Sequence, residues 1–327
     1  MKLLIIGGTK FLGRHLVEAA LNAGHTVTLF NRGRTNPDLF PEVEKIHGDR
    51  DGQLDLLAGR RWDAVIDTCG SVPRVVSASA RLLADKVDHY TFISTISVYA
   101  DNSAPDEDES AGVDFMDDPT SEEVTGRSYG ALKALCEEAA EGAMPGRVLT
   151  VRAGLIVGPH DPTGRYTYWV ERVARGGEVL APDSPEVPVQ YIDVRDLSEW
   201  ILRMAAGRRA GVYNVTGPAK PYTMGEFLAV CRAVSGSDAR FTWVPEPVLM
   251  QRGVVPWVDL PLWVPESMAG FSTRNIDKAL AAGLTFRSPE TTVRDTLAWA
   301  ATLGQAERGA GLKPEQEAGV LAAWNQR

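Results

Sequence analysis

The sequence predicts an α/β fold: a doubly wound parallel sheet with helices on both faces, followed by a smaller C-terminal lobe. Two observations carry that expectation. Short β-rich runs alternate with helical patterns through the first two-thirds of the 327 residues. Several of these runs are continuously apolar, as parallel strands covered on both faces are. A hydrophobic fraction of 44% beside 24% charged residues suits an ordinary globular protein with ample apolar surface for a core. Cys69, Cys136 and Cys231 are too few and too scattered for a disulfide scaffold, and they form no Cys-x-x-Cys pair. No run approaches about 18 apolar residues, so no membrane span is expected. The first residues lack the apolar core and cleavage site of a secretory signal, which makes a cytoplasmic location the expectation.

Lys2–Ile6 reads as the first strand, followed by Gly7-Gly8-Thr9-Lys10-Phe11-Leu12-Gly13 and a helical pattern over 11–24. Further strands are expected at Thr26–Phe30, Glu44–His47, Asp63–Asp67, Tyr90–Ser94 and Val148–Arg152, with helices near 72–86 and 128–142. In the second of these helices Leu132, Leu135, Cys136 and Ala139 fall on one stripe. Past residue 158 the character changes. The stretch 245–265 holds five prolines with Trp257 and Trp263 and reads as an irregular apolar covering segment. Helical patterns near 165–175, 196–206, 224–235, 275–282 and 291–303 belong to this second part. The expected division is 1–158 and 159–327, with Val189–Ile192 as a strand that returns to the main sheet.

The glycine-rich turn follows a strand, opens a helix, and lies 18 residues before the end of the second strand at Asn31. In that setting glycines allow a tight turn and close backbone approach to a pyrophosphate at the positive end of the helix, as in a Rossmann dinucleotide-binding domain. Gly7, Thr9, Lys10, Phe11, Leu12 and Gly13 are its candidate cofactor-binding residues. NAD-specific sites place Asp or Glu at the end of the second strand, on the ribose 2′-hydroxyl. Here Phe30 is followed by Asn31-Arg32-Gly33-Arg34, which either holds a 2′-phosphate or forms a solvated basic turn. NADP(H) is therefore expected ahead of NAD(H). Asp49 either accepts from the adenine amino group or belongs to an exposed turn. Cys69 is expected as a small buried filler where the backbone passes the cofactor ribose.

The strand from Tyr90 runs on through Ser94-Thr95-Ile96-Ser97-Val98-Tyr99, and Tyr129-Gly130-Ala131-Leu132-Lys133 follows some thirty residues later. With eight Tyr and eight Lys in the chain, chance supplies one Tyr-x-x-x-Lys in about one such sequence in five, so spacing alone carries little. The chemistry is more telling. Residues i and i+4 share a helix face, an ammonium lowers the pKa of a neighbouring phenol, and the phenol then serves as general acid/base at neutral pH. Thr95, leaving its strand at the C-terminal edge of the sheet, is placed to hydrogen-bond a substrate oxygen.

With these residues in view, the chain resembles the extended or atypical short-chain dehydrogenase/reductases of the NAD-dependent epimerase/dehydratase superfamily. The matching features are the Gly7–Gly13 turn, Ser94 to Tyr99, Tyr129 with Lys133, Arg152 through Gly158-Pro159, Tyr191 to Asp196, and Gly211 to Val215, in the family's order. The resemblance implies Tyr129 as catalytic acid/base, Lys133 as the residue that binds the nicotinamide ribose and tunes Tyr129, and Thr95 in the family's Ser/Thr role. It also implies a homodimer through the helices near 71–85 and 128–142.

Departures from the family pattern narrow the substrate. Lys10 replaces the usual middle glycine, and the Gly-Gly-Thr-Lys-Phe-Leu-Gly form resembles the subgroup containing chloroplast stem-loop RNA-binding proteins. Sugar-nucleotide members carry an Asn three residues after the arginine that ends strand six, and an Arg two residues before the Tyr-Ile pair. Here these positions are Leu155 and Val189, so a diphosphate would be poorly held. Family dehydratases have Asp-Glu after the Ser/Thr, where this chain has Ile96 and Ser97. The expected activity is NADP(H)-dependent reduction of a carbonyl, or oxidation of an alcohol, on a small and rather apolar molecule. An epimerase using transient oxidation, and a non-catalytic RNA-binding or regulatory protein, are the alternatives; nucleic acid is not the expected partner. Ile96, Leu155, His160, Trp257 and Trp263 are candidate substrate neighbours. Trp257, Leu260, Leu262 and Trp263 either wall the pocket or pack the small lobe, and His160 either meets substrate or makes a loop hydrogen bond. The five histidines show no metal-ligand spacing, and no metal is expected.

The formal net charge is −9, yet 101–126 alone holds ten Asp/Glu and no Lys or Arg, leaving 33 acidic against 34 basic residues elsewhere. That loop joins the Thr95 strand to the Tyr129 helix. It is either a solvated excursion or a lid that disfavours anionic substrates.

Overall fold

In the computed structural model, which describes residues 1–304 and 310–327, strand β1 (Lys2–Ile6) buries Leu3 and Ile5 on one face and Leu4 and Ile6 on the other. Successive side chains alternate across a strand, so a strand covered on both sides must be apolar throughout. The other strands are β2 (Thr26–Asn31), β3 (Glu44–His47), β4 (Ala64–Asp67), β5 (His89–Thr95), β6 (Val148–Ala153), β7 (Ile156–Val157), β8 (Glu178–Pro182), β9 (Ile192–Asp193), β10 (Gly211–Val215) and β11 (Arg240–Val244). Seven of them form one parallel sheet in the order β10-β6-β5-β4-β1-β2-β3.

The helices are α1 (Phe11–Asn22), α2 (Pro73–Leu83), α3 (Tyr129–Ala143), α4 (Arg165–Ala174), α5 (Val194–Ala206), α6 (Met224–Ser235), α7 (Glu246–Gln251), α8 (Asp277–Ala281), α9 (Pro289–Ala300) and α10 (Pro314–Asn325). Leu12, Leu16, Leu197 and Trp200 of α1 and α5 cover one face of the sheet, and Val76, Leu83, Cys136 and Ala140 of α2 and α3 cover the other. A separate core, built on Trp169, Phe227 and Trp263, fills the C-terminal lobe between α4, α6 and the β8–β11 pair. Buried Arg172 of α4 and Glu317 of α10 tie this lobe together at 2.6 Å. Among the described residues no helix is long and apolar enough to cross a membrane.

The strand expected at Val189–Ile192 does not return to the main sheet. The amides of Val189 and Tyr191 are taken by the carbonyls of Tyr222 and Gly217, and β9 pairs instead with β7 in a ladder of its own. The seventh place goes to β10, in register with β6 from Gly211↔Leu149 to Val215↔Ala153. The chain therefore enters the lobe, comes back to the sheet through α5 and β10, and leaves again.

Gly13 shows how tightly α1 is laid against the first turn, since a Cβ there would stand 2.8 Å from Gly8 Cα and N, backbone atoms with no room to yield. Gly13→Ala is expected to destabilise the chain by about 1–3 kcal/mol, measured by urea denaturation.

Candidate active site

Beyond β1 the chain turns through Gly7 and Gly8 at φ of 109° and 95°, a region open to glycine and strained for other residues. Helix α1 then begins at Lys10 with no side-chain cap and no acidic residue in its first turn. Its unpaired N–H groups and positive end are left to an anion. The cavity above the turn has a volume of about 820 Å³ and follows the C-terminal edge of the sheet from 31–35 and 48–51, past 7–13 and 68–72, to Ser94, Thr95, Tyr129 and Lys133. Gly7, Thr9, Lys10, Phe11, Leu12, Gly13, Asn31, Arg32, Asp49 and Cys69 all stand in its wall.

Their roles differ from one another. Asn31 is a brace: its Nδ2 donates to Gly7 O at 2.8 Å and its Oδ1 accepts from Gly33 N at 2.9 Å. The cations do not share that commitment. Lys10, Arg32 and Arg34 are exposed on the cavity wall and, among the described residues, their side chains have no hydrogen-bond or ion-pair partner. Asp49 shapes its own turn, accepting from Asp51 N at 3.0 Å. Cys69 is exposed to the cavity rather than a buried filler, its Sγ 3.8 Å from Arg50 Nη1. Arg50 makes a bidentate pair with fully buried Asp67 at 2.8 and 2.7 Å and also donates to Ser79 Oγ, while Tyr90 Oη donates to Asp67 at 2.8 Å. Sequence reasoning missed this network. Its only signal was an Asp closing the otherwise apolar strand Ala64–Asp67.

At the other end of the cavity, Tyr129 is 37% exposed while Lys133, one turn on, is 4% exposed. Lys133 Nζ donates to Gly70 O at 2.5 Å and Ile93 O at 2.6 Å and lies 4.1 Å over the Phe92 ring. An ammonium carries three protons, so one remains beyond the two given to these carbonyls. Burial pushes Lys133 down to about 8, with Cys136, Asp67 and Glu137 opposing the fall. The sequence argument has Lys133 lowering the Tyr129 phenol. In the structure burial raises that phenol, and its hydrogen bond with Thr95 is what pulls it down. The ammonium is turned toward backbone carbonyls. Thr95 Oγ1 itself accepts from Ser97 N at 3.1 Å, which fixes the hydroxyl at the strand end.

None of the expected substrate neighbours stands in the wall of this cavity. Ile96 packs with Val98, Tyr99 and Ala134, Leu155 and Trp263 sit in the lobe core, and Trp257 packs against it. Ala153, Gly154, Ile156 and Pro162 supply the cavity wall on that side. Of the Pro-rich stretch, Leu260, Leu262 and Trp263 pack the core of the lobe. His160 lies over α1, with Arg14 Nη1 3.4 Å from its Nδ1 and the His15 and Trp299 rings on either side. The acidic loop is pinned rather than free: fully buried Arg274 pairs with Glu107 at 2.9 Å, and Arg74 bridges Glu122 and Asp51.

A glycine cradle with an open helix end and a Thr–Tyr–Lys set in one crevice at the strand ends defines a dinucleotide-dependent enzyme fold. Residues 3–81 and 69–216 match the model of the NAD dependent epimerase/dehydratase family, and the chain belongs to that family. It is 25% identical over 267 residues to the chloroplast stem-loop binding protein of 41 kDa b of Arabidopsis thaliana, across 76% of this chain and 65% of that protein. A shorter stretch of 74 residues is 36% identical to the sterol-4-alpha-carboxylate 3-dehydrogenase, decarboxylating, of Mus musculus, covering 22% of this chain and 19% of that one. The chain thus spans less than two-thirds of the length of either relative. Among solved structures it is similar to the UDP-Glc/GlcNAc 4-epimerase of Campylobacter jejuni (TM-score 0.68, 16% identity, 92% of this chain and 99% of that one). It is also similar to the UDP-glucose 4-epimerase of Bifidobacterium longum, solved with NAD+ and UDP (TM-score 0.66, 17% identity, 94% of this chain and 100% of that one). At these identities the likeness is one of fold.

The His160 contact gives a pH signature. Burial, Arg14 and His15 push its imidazole from the ordinary 6.5 down to about 4. Below pH 6.5 the unfolded chain takes up this proton first, so stability present above pH 6.5 is lost as the pH falls toward 4. His160→Gln is expected to flatten the decline in melting temperature across that window.

Proposed function

We propose that the chain is an NADP(H)-dependent oxidoreductase that interconverts a carbonyl and an alcohol on a small, rather apolar molecule. The observation that carries this reading is the shared cavity. The glycine cradle, the Asn31–Arg34 turn on one side of it and Tyr129 with Thr95 on the other lie along one sheet edge. Its residues suit a dinucleotide: the uncapped end of α1 for the pyrophosphate, and Lys10, Arg32 and Arg34 for a 2′-phosphate. When bound, the nicotinamide supplies or accepts a hydride. Tyr129 Oη gives the proton to the substrate oxygen in reduction and takes it in oxidation. Thr95 Oγ1 steadies that oxygen, and Lys133 uses its remaining N–H on the ribose.

The UDP-sugar 4-epimerases among the structural neighbours favour a second reading, epimerisation by transient oxidation. Leu155 and Val189 count against a nucleotide-sugar version of it. Both are buried in the lobe core, where the family's diphosphate ligands would stand. Retention of dinucleotide through purification supports the epimerase; release and exchange support the reductase.

NADPH and NADP+ are expected to raise the melting temperature more than NADH and NAD+ at equal concentration. Replacing both Arg32 and Arg34 with Glu should weaken NADPH binding about 10–100-fold, at about 1.5–3 kcal/mol for lost charge-assisted bonds, and leave NADH binding nearly unchanged. Stabilisation by NADH alone would overturn the cofactor assignment. Tyr129→Phe should cut turnover about 100-fold or more with dinucleotide binding retained; undiminished turnover would remove the phenol from the mechanism.

A further inference from the structure

Tyr129, Lys133 and Glu137 are spaced by four and share one stripe of α3. That stripe meets three consecutive residues at the end of β5. Tyr129 and Thr95 share the cavity wall, with the Thr95 hydroxyl drawing the phenol down, the Glu137 carboxylate accepts from the Ser94 hydroxyl, and Lys133 Nζ donates to Ile93 O at 2.6 Å. The middle contact is the one with no assigned part in the chemistry. Glu137 is buried, and its carboxylate also accepts from Arg152, at 2.8 Å from Nη2 and 3.2 Å from Nε. Ser94 and Arg152 are register partners across β5 and β6, so their side chains leave the same face and converge on one carboxylate. Glu137 and Arg152 are not in the cavity wall, whereas Ser94 and Thr95 are.

We propose that Glu137 is a positioning residue for the active site: held by Arg152, it pins Ser94 and thereby sets Thr95 against Tyr129. This rests on the redox reading above for its consequence in turnover, but the geometric claim stands apart from it. Buried ion pairs contribute poorly to stability, and apolar replacement of both partners is often tolerated, while removal of one partner leaves a stranded charge. A pair kept only to hold α3 on the sheet is therefore replaceable; a pair that orients a hydroxyl is not.

The test compares the unchanged chain with Ser94→Ala, Glu137→Gln and the double replacement Glu137→Met with Arg152→Met, each assayed with NADPH and a panel of small ketones and aldehydes. The double replacement should recover melting temperature relative to Glu137→Gln, yet lose turnover about 10–100-fold with little change in the KM for NADPH, as expected for misplaced reacting groups. Ser94→Ala should lose turnover in the same direction. Full turnover in the double replacement, or in both single variants, overturns the proposal.

A second readout needs no substrate. The Tyr129 phenol is titrated by ultraviolet difference absorbance against Tyr129→Phe in each background. Its pKa should rise in the double replacement, as it should in Thr95→Val, because the Thr95 hydrogen bond is the contact that lowers it. An unchanged titration overturns the proposal even if no ketone or aldehyde is turned over, an outcome that by itself would sink only the redox reading.

Discussion

The chain reverses its direction of travel across the sheet between β1 and β4. From β1 it moves through β2 to β3; from β4 it moves the other way through β5 and β6. Helices that follow neighbouring strands on opposite faces cannot close over the strand ends at that point, and a crevice remains at the C-terminal edge. The glycine turn after β1 and the cavity-facing residues after β4 border it directly, while Thr95 at the end of β5 and Tyr129 at the start of α3 close its far end. Each feature of the site is local, but their meeting is a property of strand order.

Beneath the crevice the polar groups are rigidly held. Arg50 with Asp67 joins the turn after β3 to the end of β4, and Glu137 with Arg152 joins α3 to β6, both pairs largely out of water. Hydrogen bonds offset the loss of water around such groups, and their partners fix the orientation of the Asp67 and Glu137 carboxylates. The surface is different. The excess negative charge lies in one loop, and even that loop is fastened by Arg274 and Arg74. Lys10, Arg32 and Arg34, whose side chains have no partner among the described residues, stand exposed in the cavity wall.

Much of the fold was legible because parallel strands and amphipathic helices have strong, different periods. Six strands of the main sheet and the helices on both faces follow from alternation of these patterns. The seventh strand did not. Val189–Ile192 and Gly211–Val215 are both short and partly apolar, and their difference lies in which distant carbonyls take their amides. At the site, the spacing of Tyr129 and Lys133 and the position of Thr95 were visible, as was the cradle. Asn31 was readable as a missing acid but not as a brace, since its partners Gly7 O and Gly33 N meet only when the turn has formed.

The sequence by itself determined six strands of the sheet, the glycine turn, the set of chemical groups and the asymmetry of charge, because each shows in residues near one another in the chain. Tertiary structure alone decided what those groups face. Lys133 turns to two carbonyls, Cys69 opens to the cavity above Arg50, and Leu155 and Trp263 enter a core instead of lining a pocket. Glu137 finds Ser94 and Arg152 only because β5 and β6 lie side by side beneath α3. Burial and pairing are long-range outcomes, set by packing between segments far apart in the chain, and no local pattern encodes them.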